Sequence, residues 1–492
     1  MKTETNIRNA VWGVYLHFFV VLNFPPIIAS AQWEPNVRLT YNDSTSQLTF
    51  SSARSAVASG DYIHIVWEDW RNGGSTNTDI YYIRSTNRGT TWQPEVCLTP
   101  NPSNQTYASI ATDGPNVHVV WSDYRDTPYG HEIYYKRSMD NGVSWGPDTR
   151  LTFIAETLDC YRPAIAVADN DIHVAWETIG FGAREHIFYM RSTDNGTTWG
   201  TPIQVSSSVP GNKYKASIAV DNTDVHIVWN DDRHGFPNLE IYYIHSLDGG
   251  LTWGPEIRLT EADNYSVEPC IAVQGSTVYV AWGDERNPGN MEVYYKYSTD
   301  RGINWSQDYR LTNVSQTDGC PSIAVSGTNV HIAFVSWRTG YQEIFYKNST
   351  NGGATWSSDT RFTFDNNASS HPCVAISGSY VYVVWYDGQG VTWPNFEIWF
   401  KRNPTGNVAV EENNNGEEMA KNKGELSIVP NPFAEFFTIK GHEDRCFRLY
   451  DLSGQQIGVY KGDRIGDKLP AGLYFVVSDD KNILPARVVK IR

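Results

Sequence analysis

The chain has 492 residues, a formal net charge of −16, and an aromatic-rich composition with 18 Trp and 29 Tyr. An acidic chain is a poor partner for nucleic acid or for an anionic membrane surface, so the composition argues against both, although a local basic pocket for an acidic sugar is compatible with it. Six Cys are too few for a disulfide scaffold in a chain of this length.

Residues 1–31 are typical of a secretory signal peptide. Two basic residues, Lys2 and Arg8, precede an apolar stretch from Val11 to Leu22, and a small-residue cleavage motif ends at Ala31. A polar residue and two prolines interrupt the end of the apolar stretch, so a membrane-spanning helix is the weaker interpretation. No later segment is long and apolar enough to span a bilayer, and we expect an exported mature protein without a transmembrane segment.

From Gln32 onward the sequence repeats itself. Each repeat holds a small-residue strand, an alternating strand that ends in an aromatic residue, a strand similar to Glu-Ile-Tyr-Tyr, and a short strand that ends in Arg-Leu-Thr. The aromatic residue recurs every 51–55 residues, at Trp67, Trp121, Trp176, Trp229, Trp282, Phe334 and Trp385. Four short strands in a repeat of about 50 residues are typical of a propeller blade. The sequence therefore predicts an all-β, seven-bladed β-propeller of four-stranded blades.

A turn motif, Ser-x-Asp-x-Gly-x-x-Trp, follows the third strand in six repeats. Its Ser hydroxyl and Asp carboxylate can accept hydrogen bonds from the turn's own amides, Gly supplies a positive φ, and Trp anchors the turn on apolar surface. The copies begin at Ser85, Ser138, Ser192, Ser246, Ser298 and Ser349, with Asn87 and Asn351 replacing Asp in the first and last. These turns resemble the Asp-boxes (BNR repeats) of the sialidase superfamily, and we assign them a structural role.

The two ends of the repeat region complement each other. The segment from Trp33 to Thr40 matches the end of a repeat, from Trp253 to Thr260, whereas the last repeat stops after its third strand, at Arg402. We expect the N-terminal strand to complete the last blade and remove an exposed edge, with the propeller covering residues 32–403. Sialidases have six blades, so the resemblance covers the blade motif and departs in the count.

The C-terminal part of the chain changes pattern twice. Residues 404–424 are polar and acidic, which predicts a flexible linker. Residues 425–492 hold short apolar runs separated by turn residues, which predicts a small C-terminal β-sandwich. Four blocks in it resemble the sorting domain of the Bacteroidetes type IX secretion system, beginning at Leu426, Leu449, Leu469 and Ala486. The resemblance implies the type IX secretion machinery as a partner and a protein that is secreted or attached to the outer-membrane surface.

The second strand often ends in Trp-x-Asp-x-Arg, as at Trp229, Asp231 and Arg233. Period-two spacing places the three side chains on one side of the strand. Such arginines can bind a carboxylated sugar through bidentate pairs, or the Asp–Arg pairs can bridge adjacent blades as part of the frame. We favour the frame, because the motif recurs and an active site occurs once per ring.

The repeats disagree near the start of the innermost strand, at the mouth of the central channel. The position fourteen residues before the aligned aromatic holds Ala53, Tyr107, Arg162, Lys215, Glu268, Cys320 and His371. A register that changes between cationic, anionic and aromatic residues is where a ring of repeats would carry an asymmetric site. We predict that the ligand is bound by Tyr107, Arg162, Lys215, Glu268 and His371. The alternative is sequence drift in a solvated loop.

A sialidase brings three arginines onto the sugar carboxylate, pairs a Tyr nucleophile with a Glu, and uses an Asp as acid/base. The Phe-Arg-Ile-Pro-like motif that usually carries the first arginine is absent, the nearest string being Tyr161-Arg-Pro163, and no Tyr–Glu pair stands apart from the repeats. Glu177 and Glu268 are the catalytic candidates that remain, as carboxylates for acid/base hydrolysis from separate blades.

Other chemistries find little support in the sequence. No His/Cys spacing indicates zinc and no Asp-rich loop indicates calcium, so we expect no metal and no cofactor. Five histidines that share one register of the second strand are expected to be packing residues: His64, His118, His173, His226 and His331. Export would permit a disulfide between two of the inner-strand cysteines Cys270, Cys320 and Cys373.

Three functions are compatible with these observations. The leading hypothesis is a propeller that binds a glycan or another extracellular ligand. The alternatives are a glycoside hydrolase of the sialidase-like type and a scaffold for partner proteins. A pair of buried carboxylates beside an arginine cluster at the channel mouth would favour the enzyme. An aromatic, uncharged and shallow surface would favour the binding module, and an apolar patch would favour the scaffold.

Overall fold

A computed structural model of the protein describes residues 33–49, 53–74, 77–126, 130–153, 158–180, 184–286, 289–364, 366–388 and 395–407, and, nearer the C-terminus, 427–429, 435–440, 444–451, 456–466, 469–478 and 486–490. The chain divides into two units, residues 1–409 and 410–492. The predicted signal peptide and most of the predicted linker lie outside the described residues. The described residues include no helix long and apolar enough to cross a membrane.

The described part of the first unit consists of β-strands joined by turns and loops. The strands are β1 (Val37–Arg38), β2 (Ser46–Gln47), β3 (Ala56–Ser59), β4 (Tyr62–Asp69), β5 (Asp79–Ser85), β6 (Val96–Cys97), β7 (Gln105–Asp113), β8 (Asn116–Asp123), β9 (Glu132–Ser138), β10 (Thr149–Arg150), β11 (Leu158–Ala168), β12 (Asp171–Gly180), β13 (His186–Ser192), β14 (Ile203–Gln204), β15 (Lys213–Asp221), β16 (Asp224–Asp231), β17 (Glu240–Ser246), β18 (Ile257–Arg258), β19 (Ser266–Gln274), β20 (Thr277–Asp284), β21 (Glu292–Ser298), β22 (Tyr309–Arg310), β23 (Asp318–Ser326), β24 (Asn329–Ser336), β25 (Glu343–Ser349), β26 (Thr360–Arg361), β27 (Ser369–Ser377), β28 (Tyr380–Asp387) and β29 (Glu397–Asn403).

These strands form seven antiparallel sheets among the described residues. Sheet 1 holds β2 to β6, sheets 2 to 6 hold four consecutive strands each from β7 to β26, and sheet 7 holds β27 to β29 with β1. The inner strands contact one another in a closed circuit that runs from β3 through β7, β11, β15, β19, β23 and β27 back to β3. The predicted all-β, propeller-like architecture is confirmed.

The two ends of the repeat region pair with each other, as the sequence predicts. In sheet 7, Val37 lies opposite Phe400 and Arg38 opposite Trp399, so β1 supplies the outer strand that the last repeat lacks. Arg38 also forms an ion pair with Glu397 at 2.6 Å. The edge of β29 is therefore covered by a strand from the other end of the repeat region.

The core of the first unit lies between neighbouring sheets. Second strands such as β8 and β12 are almost wholly buried, and their apolar residues pack with those of the next sheet, as Val120 of β8 and Trp176 of β12 share one buried cluster. The histidine register lies in these layers, where His118 Nδ1 and the Tyr135 hydroxyl are hydrogen-bonded at 2.8 Å. The five histidines are thus packing residues with a tyrosine partner on the third strand.

The Asp-box turns also join neighbouring sheets. In the copy that begins at Ser192, the hydroxyl of that serine accepts from Gly196 N at 2.9 Å, and Asp194 accepts from Thr198 N at 2.8 Å. Gly196 has a φ of +79°, and a Cβ there would lie 2.1 Å from the Tyr135 hydroxyl of sheet 2. The structural role predicted for these turns follows from this geometry, because glycine is needed both for its φ and for its lack of a side chain.

The Trp-x-Asp-x-Arg motif belongs to the frame, but the predicted bridge between adjacent blades is wrong. Asp231 accepts from Trp229 Nε1 at 3.2 Å and pairs with Arg233, whose Nη1 reaches Glu256 at 2.9 Å. All four residues belong to sheet 4. The guanidinium lies over the Tyr242 ring at 4.0 Å, so it crosses the third strand to reach the fourth within a single sheet.

The described part of the second unit holds two small sheets. Its strands are β30 (Ser427–Val429), β31 (Thr438–Lys440), β32 (Cys446–Tyr450), β33 (Gln456–Lys461), β34 (Gly472–Ser478) and β35 (Ala486–Lys490). β30 pairs with β31, and the other four lie in the order β33-β32-β34-β35 around a small apolar core. The sandwich, the linker boundaries and the sorting function remain predictions.

Candidate functional site

The register singled out in the sequence is a β-bulge in six of the inner strands. Each bulge interrupts the pairing of the inner strand with its second strand, for example between Thr106 and Ser109. The bulge residue has a left-handed backbone in every case, with φ between 44° and 58°, at Tyr107, Arg162, Lys215, Glu268, Cys320 and His371. Non-glycine residues rarely adopt this conformation, and such strain concentrates at functional sites.

Five of the bulge residues, from Tyr107 to Cys320, and two second-strand glutamates form a continuous chain of contacts, which we call the mouth chain. Glu68 of sheet 1 accepts from Tyr107 N at 2.7 Å, and the guanidinium of Arg162 lies over the Tyr107 ring at 5.1 Å. Arg162 pairs with Glu177 at 2.8 Å, and the other oxygen of Glu177 accepts from the backbone N of Lys215.

The mouth chain continues across sheets 4 to 6. Lys215 Nζ lies 3.2 Å from Glu268 Oε1, and Glu268 Oε2 accepts from Cys320 N at 3.2 Å. The two predicted catalytic candidates, Glu177 and Glu268, are thereby brought to the same residue, Lys215, one to its backbone and one to its ammonium group. The sequence placed Lys215 and Glu268 in one register, and the structure joins them with Glu177 in one network.

The carboxylates of the mouth chain differ in their environment. Burial raises the pKa of Glu68 and the pKa of Glu177 to about 7. Glu268 is different, because its side chain is 26% exposed and, although burial opposes it, the charge of Lys215 holds the pKa of Glu268 below its ordinary value. Carboxylates whose pKa values are pushed apart can serve as acid and base at neutral pH.

His371 of sheet 7 lies beside a second-strand tyrosine. Its Nδ1 is 3.0 Å from the Tyr386 hydroxyl, the two rings stack at 5.4 Å, and burial lowers the pKa of His371 to about 4. This histidine, Lys215, Glu268 and Cys320 line one cavity of about 50 Å³. Tyr107 and Arg162 do not line that cavity; they lie at the other end of the mouth chain.

Sheet 1 departs from the other six. Its inner strand is split: Gln47 pairs with Glu68 and Ala56 pairs with Ile65, with residues 48–55 between them. Arg54 lies at the ring axis, where it lines both the 50 Å³ cavity and a second cavity of about 200 Å³ that is walled mainly by apolar residues of the inner strands. Ala53, the sheet 1 residue of the predicted register, lies between the two paired segments and is not a bulge residue.

A second polar cluster at the mouth was missed from the sequence. His131 Nδ1 lies 3.0 Å from Asp159 Oδ1, and the His131 ring packs against Tyr161 at 4.9 Å, next to Arg162 in the chain. Although burial opposes it, hydrogen bonds from His131 and Tyr161 hold the pKa of Asp159 below its usual value. The only sequence signal was that the third repeat has Asp159 and Tyr161 where the others have no such pair.

Aromatic side chains are exposed in the loops that follow the second and fourth strands, on the same side of the ring as the bulges. Six of them are at least 42% exposed: Tyr41, Phe153, Phe236, Trp337, Tyr341 and Phe364. Three carry an arginine guanidinium on one ring face, as Arg150 lies over Phe153 at 4.7 Å. These rings surround the mouth with apolar faces.

The described residues contain no cluster of His, Cys, Asp and Glu that could hold a metal ion. All six cysteines are free thiols, and the disulfide that the sequence permitted does not form in this structure. Cys270 Sγ instead contacts the carbonyl of Ala281 at 3.6 Å, and Cys373 Sγ contacts the carbonyl of Ala56 at 3.7 Å.

Comparison with known proteins agrees with this architecture. A family model described as a BNR repeat-like domain matches residues 190–389, and no curated protein matches the chain. The chain is similar in fold to a polysaccharide lyase, an ulvan lyase bound to -[GlcA(1-4)Rha3S]-, at a TM-score of 0.53 and 10% identity, over 75% of this chain and 95% of that one. It is also similar to the polysaccharide lyase Uly1, at a TM-score of 0.50 and 11% identity, over 76% and 99% of the two chains.

A weaker likeness is to a Trypanosoma rangeli sialidase in complex with the inhibitor DANA, at a TM-score of 0.42 and 10% identity, over 78% of this chain and 84% of that one. The BNR repeat-like match lies within the first unit, and the similarity to the two lyases shows that their fold is shared by this chain.

Proposed function

We propose that this chain is a seven-bladed propeller that binds a glycan at the mouth of its ring. The observation that carries the proposal is the set of six left-handed bulges, whose side chains are all different while the frame around them repeats. Maintaining a strained backbone six times has no use in packing alone, because the same sheets could close with glycine there. The seven sheets and their closed circuit of inner strands support the blade count.

The mouth provides the two kinds of group that sugar recognition uses. Tyr107 and the exposed aromatic rings offer apolar faces for the C–H face of a pyranose ring. Arg162 and Lys215 offer donors for hydroxyl or acidic groups, and both side chains are about a quarter exposed, at 27% and 25%. Glu177, fully buried, fixes the guanidinium of Arg162 in place.

Cleavage of the glycan is the second candidate, and a specific observation favours it. Glu177 has its pKa raised to about 7, Glu268 has its pKa lowered, and both contact Lys215. This is the separation that an acid and a base need. The similarity in fold to two polysaccharide lyases adds elimination to hydrolysis as a reaction class to assay.

Export, type IX secretion and attachment to the outer-membrane surface form part of the same proposal. They are supported by the leader sequence and by the four C-terminal blocks. An extracellular location would give the mouth access to polysaccharides.

A glycan array with the purified full chain, compared with Arg162→Ala, tests the binding function. We expect selective glycan binding that falls at least tenfold in the variant. Arg88→Ala is the matched control, because Arg88 is an exposed arginine paired with Asp61 in the Asp-box turn of sheet 1. Absence of glycan binding in the wild type, or equal binding by Arg162→Ala, would refute the site.

Hydrolysis and elimination assays on the bound glycans decide between the two candidates. Turnover that is lost in both Glu177→Gln and Glu268→Gln, with binding retained, would make the protein an enzyme. Binding without turnover leaves a recognition module.

A further inference from the structure

Arg54 stands at the ring axis and has no acidic partner among the described residues. Within the described ranges, the one hydrogen bond of its guanidinium is from Nη2 to the carbonyl of Ile271, at 3.3 Å, and Ile271 belongs to sheet 5, on the far side of the axis from sheet 1. Its electrostatic neighbours are two cysteines, Cys270 and Cys373, and no carboxylate. An enclosed guanidinium without a counter-charge is costly.

The neighbouring thiols do not supply the missing negative charge. Burial raises the pKa of Cys270 to about 12 and also raises the pKa of Cys373, so both are neutral near pH 7. The remaining carboxylate of the cavity wall, Glu268, is already paired with Lys215 at 3.2 Å. The charged side chains of the cavity wall are therefore two cations and one anion, in a chain whose net charge is −16.

The size and the polar groups of the cavity fit a small oxyanion. Its volume of about 50 Å³ corresponds to roughly four water-sized spheres, which is the size of a sulfate or carboxylate group. The hydroxyl groups of three inner-strand serines line the same cavity and can donate to such a group: Ser55, Ser217 and Ser322. The second cavity is walled mainly by Ala, Val and Ile, and Arg54 is the one charged residue among the described residues that line it.

We propose that Arg54, with Lys215, binds an oxyanion, which is a sulfate or carboxylate group, in the cavity of about 50 Å³ that both residues line. A guanidinium pairs with such groups through two parallel N–H···O bonds. The extension of this inference to a sulfated or carboxylated glycan rests on the proposed function, whereas binding of the free oxyanion does not.

Equilibrium dialysis of labelled sulfate against the full chain, at constant ionic strength, tests the proposal. We expect one sulfate per chain, with affinity reduced at least tenfold in Arg54→Met and unchanged in Arg88→Met, the matched control outside the cavity. Acetate in place of sulfate tests the carboxylate form of the ligand, and binding of either ion supports the site. No binding of either ion by the wild type, or equal binding by Arg54→Met, overturns it.

Thermal unfolding separates this role from a structural one and shows whether the variant folds. In buffer without oxyanions, Arg54→Met should melt at or above the wild type, because it removes an enclosed cation without a partner. Added sulfate should then raise the melting temperature of the wild type more than that of the variant. The proposal would be wrong if Arg54→Met melted at a lower temperature than the wild type and sulfate raised both melting temperatures equally. Arg54 would then have a structural role through its hydrogen bond to Ile271. Sulfate binding without any glycan binding would leave the anion site standing and remove the proposed function.

Discussion

The C-terminal end of the second strand carries a motif that recurs in several repeats, whereas the bulge residue of the inner strand changes from repeat to repeat. Asp231 and Arg233 close their contacts within one sheet, and the same Asp–Arg pair is made at Asp69, Asp123 and Asp284. The bulge residues differ in every sheet and contact the next sheet, as Glu177 reaches Lys215. In these two places, repetition marks groups that hold each sheet together, and variation between repeats marks groups that are available to a ligand.

The largest effect we expect concerns pH and the repeated histidines. Burial lowers the pKa of His64, His173 and His226 to about 3 and that of His118 and His331 to about 4, from the ordinary 6.5. Because the folded pKa is depressed, the unfolded chain takes up these protons first. Stability is fully present above pH 6.5 and is lost as pH falls toward 4, by about 1.4 kcal/mol per pH unit for each histidine.

Denaturant unfolding between pH 7.5 and 4.5 measures this loss. His226→Tyr is the matched variant, because sheets 5 and 7 carry Tyr279 and Tyr382 in the same register. Between pH 6.5 and 4.5, the slope of unfolding free energy against pH should be smaller in this variant by the contribution of one histidine, about 1.4 kcal/mol per pH unit. A flat profile would show that the histidines are not buried as described.

The next effect tests the frame. Asp231→Thr should reduce the unfolding free energy by about 3–5 kcal/mol, because it leaves the Arg233 guanidinium with only part of its pairing. Sheet 3 carries Thr178 and Gly180 in the corresponding positions, with the Thr178 hydroxyl 3.0 Å from Trp176 Nε1. The double variant Asp231→Thr with Arg233→Gly should therefore lose less than Asp231→Thr alone. Denaturant unfolding at pH 7 distinguishes the two, and an equal or larger loss in the double variant contradicts this account.

The Asp-box glycine gives a smaller effect. Gly196→Ala combines an unfavourable φ with a clash against Tyr135, and we expect a loss of about 2–3 kcal/mol. Gly114→Ala isolates the conformational part, because Gly114 has a φ of +54° and a Cβ added there would meet no atom of another part of the chain within 4 Å. It should cost about 1 kcal/mol. The difference between the two melting curves measures the contact between sheets, and similar losses would deny it.

The smallest effect on stability is expected in the mouth chain. Lys215→Ala keeps the left-handed backbone of a non-glycine residue, whereas Lys215→Gly relieves it, so the glycine variant should be more stable than the alanine variant by about 1 kcal/mol. Both should lose glycan binding. Equal unfolding free energies for Lys215→Ala and Lys215→Gly would show that the left-handed backbone at this bulge is not strained.

Much of the fold was predictable because the residues that build each sheet recur in every repeat or in most of them. The aromatic register, the Asp-box and the matching ends at Trp33 and Arg402 each reported the same repeat. The site was predictable only in part. The register of the bulges was found, but their left-handed backbone comes from the pairing of the inner strand with its neighbour, which no local residue pattern specifies.

Besides the cluster of His131 and Asp159, three residues of the site were missed: Glu68, Tyr386 and Arg54. Glu68 and Tyr386 share the second-strand position of Glu177, one residue after the aligned aromatic, and that position varies as much as the bulge register does. Comparing it across repeats would have found them. Arg54 was missed because it lies thirteen residues before Trp67, one residue after the register that was compared across the repeats.

The pairing of β1 with β29 has a consequence for how this molecule can be built and changed. Residues 37 and 400 are joined in one sheet, so the ring is complete only after nearly the whole first unit has been synthesised. Sheet 7 can form only when both β1 and β29 are present. A chain that ends before β29 would therefore leave β1 without its partner strand. The same interlock means that a repeat cannot simply be appended to either end; the number of repeats can change only by insertion or loss of a whole unit between them.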